Sequence, residues 1–117
     1  MIRGLHFVQL AVADWPAAVA WYGDVLGLRP ALRDDAGRFA LFDAGGCRVA
    51  LKQGAPEPGA ALLAFEVDDL PAALARLAGL GVVPEAPPQT SPEGYRRALL
   101  RDPDGYRLCL FDWGAPP

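Results

Sequence analysis

The chain has 117 residues, of which 52% are hydrophobic and 21% charged, with a formal net charge of −3; this suits one compact domain with a real core. The acidic balance and the lack of a basic stripe exclude phosphate-backbone binding as its main task, and no apolar run approaches the roughly 20 residues that cross a bilayer. Cys47 and Cys109 are the only cysteines and are expected as free thiols in a reducing cytosol, with no secretory signal, since Met1-Ile2-Arg3-Gly4 runs straight into strand-like sequence.

From Leu5 to Val12 apolar residues alternate. Val8, Leu10 and Val12 share one face, Phe7, Gln9 and Ala11 the other, which predicts a strand buried on one side against a helix. Asp14 is placed to cap that helix, with Pro16 in its first turn. Val19, Tyr22, Val25 and Leu26 form its apolar stripe, and Gly27 closes it. Three strands come next: Leu28 to Arg33, Arg38 to Asp43 after the Asp34-Asp35-Ala36-Gly37 turn, and Cys47 to Gln53 after Ala44-Gly45-Gly46. A Pro/Gly linker, Gly54 to Gly59, leads to a strand from Ala61 to Asp68 and a helix from Pro71 to Ala78 ended by Gly79 and Gly81. Val82-Val83 starts a short strand that gives way to a proline-rich surface loop through Gly94. Tyr95 to Arg101 and Tyr106 to Phe111 are the last two strands, and the tail from Trp113 carries no strong structural signal.

This order repeats, and so does the sequence. Asp14-Trp15-Pro16-Ala17-Ala18-Val19-Ala20 returns as Asp69-Leu70-Pro71-Ala72-Ala73-Leu74-Ala75, and Asp43-Ala44-Gly45-Gly46-Cys47-Arg48-Val49-Ala50-Leu51 is echoed by Asp102-Pro103-Asp104-Gly105-Tyr106-Arg107-Leu108-Cys109-Leu110. Two matched repeats in the same order, at nearly the same offset, mark a duplicated module. The fold class is α+β: two tandem βαβββ modules in a single domain, over about 4–53 and 61–113, with a linker at 54–60.

Such a duplicated module, with Leu10-Ala-Val-Ala-Asp14, Ala20-Trp-Tyr-Gly-Asp-Val-Leu-Gly-Leu28, Phe65-Glu-Val-Asp-Asp-Leu70 and Asp102-Pro-Asp-Gly-Tyr-Arg-Leu108, resembles the vicinal oxygen chelate superfamily of glyoxalase I, extradiol dioxygenases, fosfomycin-modifying enzymes and bleomycin-resistance proteins. The resemblance implies curved sheets facing each other around a cleft. In metal-dependent members it also implies four His, Gln or Glu ligands, two per module. One lies seven residues before each helix-starting Asp and the other four residues after each turn glycine. In this chain these positions hold Phe7, Leu62, Ala50 and Cys109. Divalent metals of oxygen chemistry want carboxylate or imidazole ligands, so no metal and no cofactor is expected. The single histidine, His6, is one residue off, which turns it to the other strand face.

Strand parity gives the implied cleft an apolar floor with sparse charges: Phe7, Gln9, Ala11, Leu62, Ala64 and Glu66 from the first strands, Arg48, Ala50, Lys52, Arg107, Cys109 and Phe111 from the last, and Trp113 beyond. The ligand-binding set is therefore Phe7, Gln9, Arg48, Leu62, Glu66, Arg107, Cys109, Phe111 and Trp113, with Phe7, Phe111 and Trp113 placed to stack on a planar ligand. Blander roles compete. Phe7 and Leu62 would equally fill a solid core, Glu66 would pair with Arg48 or Arg107, and Cys109, lacking a histidine to activate it, would be an inert buried thiol. Trp15 and Trp21 belong to core or dimer packing; Arg96, Arg97 and Arg101 read as a solvated strand face. Three functions are consistent with this set. The first is a metal-free binding protein, like bleomycin-resistance proteins, that sequesters an antibiotic or another aromatic or cationic molecule. The second is an enzyme, lyase-, isomerase- or dioxygenase-like, using atypical ligands or Glu66. The third is a structural or regulatory module with a filled cleft. A cytoplasmic homodimer that binds a small molecule, and neither nucleic acid nor membrane, is the expected setting, the dimer resting on the resemblance.

Overall fold

A computed structural model describes residues 1, 3, 5–59, 62–92 and 94–114. The chain forms two compact units, Met1–Glu57 and Pro58–Pro117, each a four-stranded mixed sheet carrying one helical segment.

In the first unit β1 (Val8–Val12) leads into α1 (Trp15–Ala20). The Asp14 carboxylate accepts from the Ala17 amide at 3.2 Å, satisfying one of the free N–H groups that every helix start leaves. The helix then widens into a π-helical turn, Trp21–Val25. Leu26 N–H reaches back to the Trp21 carbonyl at 2.8 Å, and Gly27, at φ 85°, takes the left-handed conformation that ends it. Gly23 permits this turn to lie close to the sheet, since a Cβ there would meet Phe42 at 3.4 Å. Because the wider turn rotates the residues beyond it, Tyr22 is buried against Phe42 whereas Val25 and Leu26 are only half-buried. Then come β2 (Arg29–Asp34), β3 (Phe39–Asp43) and β4 (Arg48–Gln53). The sheet order is β1-β4-β3-β2, parallel between β1 and β4 and antiparallel elsewhere, with a bulge in β2 between Pro30 and Leu32. One face packs the helical segment: Leu10, Val12, Val49, Leu51 and Phe42 are buried with Trp15, Val19 and Tyr22. Each large side chain contributes on the order of 1.5–3 kcal/mol of burial.

The second unit repeats the plan with β5 (Leu63–Glu66), α2 (Leu70–Gly79), β6 (Gln89–Thr90), β7 (Arg96–Arg101) and β8 (Arg107–Asp112), in the order β5-β8-β7-β6. Asp69 caps α2 through the Ala72 amide at 3.1 Å, as Asp14 caps α1. Leu70, Leu77, Ala98, Leu100, Leu108 and Leu110 form the helix-side core. Between β7 and β8, Asp102 Oδ1 accepts from the Asp104 and Tyr106 amides at 2.9 and 2.8 Å, and Gly105, at φ 88°, supplies the left-handed turn residue.

Several expectations need correction. Val82-Val83 is not a strand; the partner of β7 is the two-residue β6, inside the stretch expected as loop, since two residues free of proline suffice for a short ladder. Ala61, expected to open β5, and the tail from Ala115 lie outside the described residues. The three strand arginines do not share a solvated face either. Alternation along β7 sends Arg96 to the helix side, where its guanidinium meets Asp112 at 2.6 and 2.7 Å, while Arg101 binds Glu85 and the Gly105 carbonyl. No helix among the described residues is long and apolar enough to cross a membrane.

Candidate functional site

The sheet face opposite the helix is fixed by register. In the first unit Gln9 lies beside Ala50 and Ala11 beside Lys52 across β1 and β4. Across β4 and β3, Ala50 opposes Leu41, Arg48 opposes Asp43 and Lys52 opposes Phe39. Phe7 precedes β1, is 38% exposed and meets Phe39 edge-on at 6.2 Å. The charges on this face are held: Asp43 accepts from Arg48 Nε at 3.2 Å, and Lys52 donates to the Gly37 carbonyl. His6, exposed, lines an open cavity of about 300 Å³ with Asp43, Gly45, Gly46, Cys47 and Arg48.

In the second unit the open face carries Ala64 and Glu66 on β5, Arg107, Cys109 and Phe111 on β8, and Arg97, Leu99 and Arg101 on β7. Glu66, Phe111, Arg97 and Gln89 form one register row across all four strands. At the end of β8, Phe111 and Trp113 meet Tyr95 in a three-ring group, with centroids 6.0, 5.6 and 6.1 Å apart and each pair edge-on. Trp113 stays 59% exposed, while the Gly114 amide, donating to Asp112 at 3.0 Å, ties down the backbone beside it. Tyr95 and Arg97 also line a cavity of about 210 Å³ with Gln89, Thr90, Ser91 and Pro92. Glu66 is exposed and, among the described residues, makes no ion pair with Arg107 or any other cation. Cys109 is 4% exposed, and burial pushes its thiol pKa up against the weaker pull of Arg97, so the thiol stays protonated and unreactive.

The donor set does not fit a divalent metal. Of the four family ligand positions, Phe7, Ala50 and Leu62 have no donor atom and Cys109 offers a protonated thiol. Among the described residues no three His, Cys, Asp or Glu side chains converge. The register also brings in two residues overlooked by reading the arginine-rich strand as solvated. Tyr95 and Arg97 share the parity of Leu99, which opposes Cys109; that alternation was the available signal.

Comparison with known proteins agrees with this geometry. A glyoxalase/bleomycin-resistance protein from Catenulispora acidiphila is 29% identical, superposes with a TM-score of 0.72, and is matched over 97% of this chain and 100% of its own. TioX from Micromonospora sp. ML1 is 26% identical at a TM-score of 0.79, over 95% and 99% of the two chains. A superfamily member from Sphaerobacter thermophilus is 25% identical at 0.80, over 96% and 98%. No curated protein matches the sequence. The family model for the glyoxalase/bleomycin resistance protein/dioxygenase superfamily matches residues 4–110. The duplicated module, its capped helices and its two four-stranded sheets are thus those of the glyoxalase/bleomycin resistance protein/dioxygenase superfamily, to which this chain belongs.

Proposed function

We propose that the chain binds a planar aromatic small molecule on the open faces of its sheets, without a metal ion, and sequesters it as an antibiotic-resistance protein would. The observation that carries this reading is the Tyr95–Phe111–Trp113 group, half-buried except for the exposed Trp113, on a face whose family metal positions lack oxygen and nitrogen donors. Aromatic surface with a few fixed polar groups is the usual make-up of a small-molecule site. Phe7, Gln9 and Arg48 on the first sheet, and Leu62, Glu66, Arg107, Cys109, Phe111 and Trp113 on the second unit, are the contact residues of this reading. Glu66, a carboxylate beside Phe111 with no ion pair among the described residues, supports acid–base catalysis as the second reading. A cytoplasmic setting is consistent with the two free thiols.

Trp113 is the exposed indole, whereas Trp15 is buried and Trp21 is half-buried against Tyr22 in the other unit, so ligands at the three-ring group report through Trp113. Titration with planar aromatics, bleomycin-type glycopeptides included, is expected to shift or quench its emission. Trp113→Phe is expected to abolish the response while moving the melting temperature by no more than about 2 °C. Silence across the whole panel would sink the binding reading. We also propose a homodimer, for which light scattering should give twice the chain mass of 12.4 kDa; a monomer mass would rule it out.

A further inference from the structure

Arg97 is a strand cation that, among the described residues, no carboxylate holds. Its neighbours Arg96 and Arg101 are committed to Asp112 and Glu85, whereas Arg97 has neither ion pair nor hydrogen bond among the described residues. It stands beside Phe111 on β8 and Gln89 on β6, at the edge of the three-ring group. The cavity it lines with Tyr95 holds neutral hydrogen-bonding residues, Gln89, Thr90 and Ser91, and among the described residues Arg97 is its single charged lining residue. Glu85 lines a smaller neighbouring cavity but is already bound to Arg101. Glu66 lies on the other side of Phe111, two interstrand spacings or about 10 Å from Arg97.

Resting on the binding reading above, we propose that Arg97 receives the acidic group of the ligand, which is therefore a planar aromatic anion rather than a cation. The ring lies against Phe111, Trp113 and Tyr95, and its carboxylate enters the cavity, where the guanidinium fork matches two oxygens at once. The charge order along the row fixes the pose, because Glu66 repels an anion from the opposite end and Arg97 attracts it. Arg107 is also without an ion pair among the described residues, but it is exposed and lies at the far end of the open face from the rings.

Calorimetric titration with 2-naphthoate, 2-naphthamide and 2-naphthylmethylammonium separates the possibilities, since the ring is constant and the charge changes. The naphthoate is expected to bind about tenfold or more tightly than the amide. Arg97→Gln should erase that difference, Arg97→Lys should retain part of it, and Arg29→Gln, on the exposed strand β2 of the other unit, should leave it intact. Melting curves of the Arg97 variants should match the parent, because no ion pair among the described residues is removed. Equal binding of all three probes would overturn the anion assignment while leaving the aromatic site standing. Preference for the ammonium would overturn it in favour of Glu66, and binding of none would overturn both the assignment and the reading beneath it.

Discussion

Asp112→Ala is expected to lower the melting temperature by on the order of 10 °C, because it strips four hydrogen-bond donors of one buried acceptor. Asp112 is 3% exposed. It takes Arg96 in a two-pronged pair at 2.7 and 2.6 Å, the Leu70 amide at 2.6 Å and the Gly114 amide at 3.0 Å. The Leu70 bond matters most for architecture, since it anchors the first residue of α2 to the last strand. The Arg96 hydrogen bonds, then the Leu70 amide, hold the Asp112 carboxyl well below the usual carboxylate range. With a folded-state pKa below the unfolded value of about 3.9, Asp112 adds stability that is fully present above that value. That stability is lost as pH falls, because the unfolded chain takes up the proton first. Asp112→Asn keeps an acceptor for Leu70 but not the charge. The gap in melting temperature between parent and Asp112→Asn should therefore be widest near neutral pH and shrink below about pH 4. A gap that stays constant from pH 7 to pH 2, followed by circular dichroism, would show that the charge contributes nothing.

Trp15→Ala carries the other large effect, with an expected loss of about 3–5 kcal/mol from a total stability on the order of 5–15 kcal/mol. Trp15 is 1% exposed, its indole N–H donates to the Leu51 carbonyl at 3.1 Å, and the Arg33 guanidinium lies 5.0 Å above its ring. Removing it opens a cavity beneath the first helical turn. Trp15→Phe keeps a ring but loses the hydrogen bond, and should cost about 1–2 kcal/mol. Urea unfolding reads both: the midpoint should fall in that order at unchanged slope. A Trp15→Ala midpoint within error of the parent would refute the core role.

Much of the scaffold is written locally. Asp14 and Asp69 announce their helices because a side-chain cap needs only the next three residues. Alternation places Leu10 and Val12 against the helix, with Val8 half-buried on the same face, because strand parity needs only a count of two. The features that stayed hidden depend on chain segments meeting. The π-helical turn at Trp21–Val25 obeys the same apolar spacing as an α-helix up to Tyr22, so periodicity does not announce it. The role of Asp112 requires knowing that β8 ends beside the start of α2, and the strand position of Gln89 requires its pairing with Arg97. The candidate site divides in the same way. Parity alone reaches Phe111 and Trp113 from the last strand, whereas Tyr95 and Arg97 become visible only through the register between β7 and β8.

The sheet borders formed by β2 and β6 bear on how the molecule survives at high concentration. An open strand edge is a template for adding foreign strands and so a seed for aggregation. β2 is exposed along its whole length, yet it carries Pro30, which has no N–H to offer, a bulge that breaks its register, and the charges Arg29, Arg33 and Asp34. β6 defends itself by brevity, with two residues and prolines at positions 87, 88 and 92 around it. Duplication of the module doubled the number of vulnerable borders, and the two copies guard β2 and β6 by different devices.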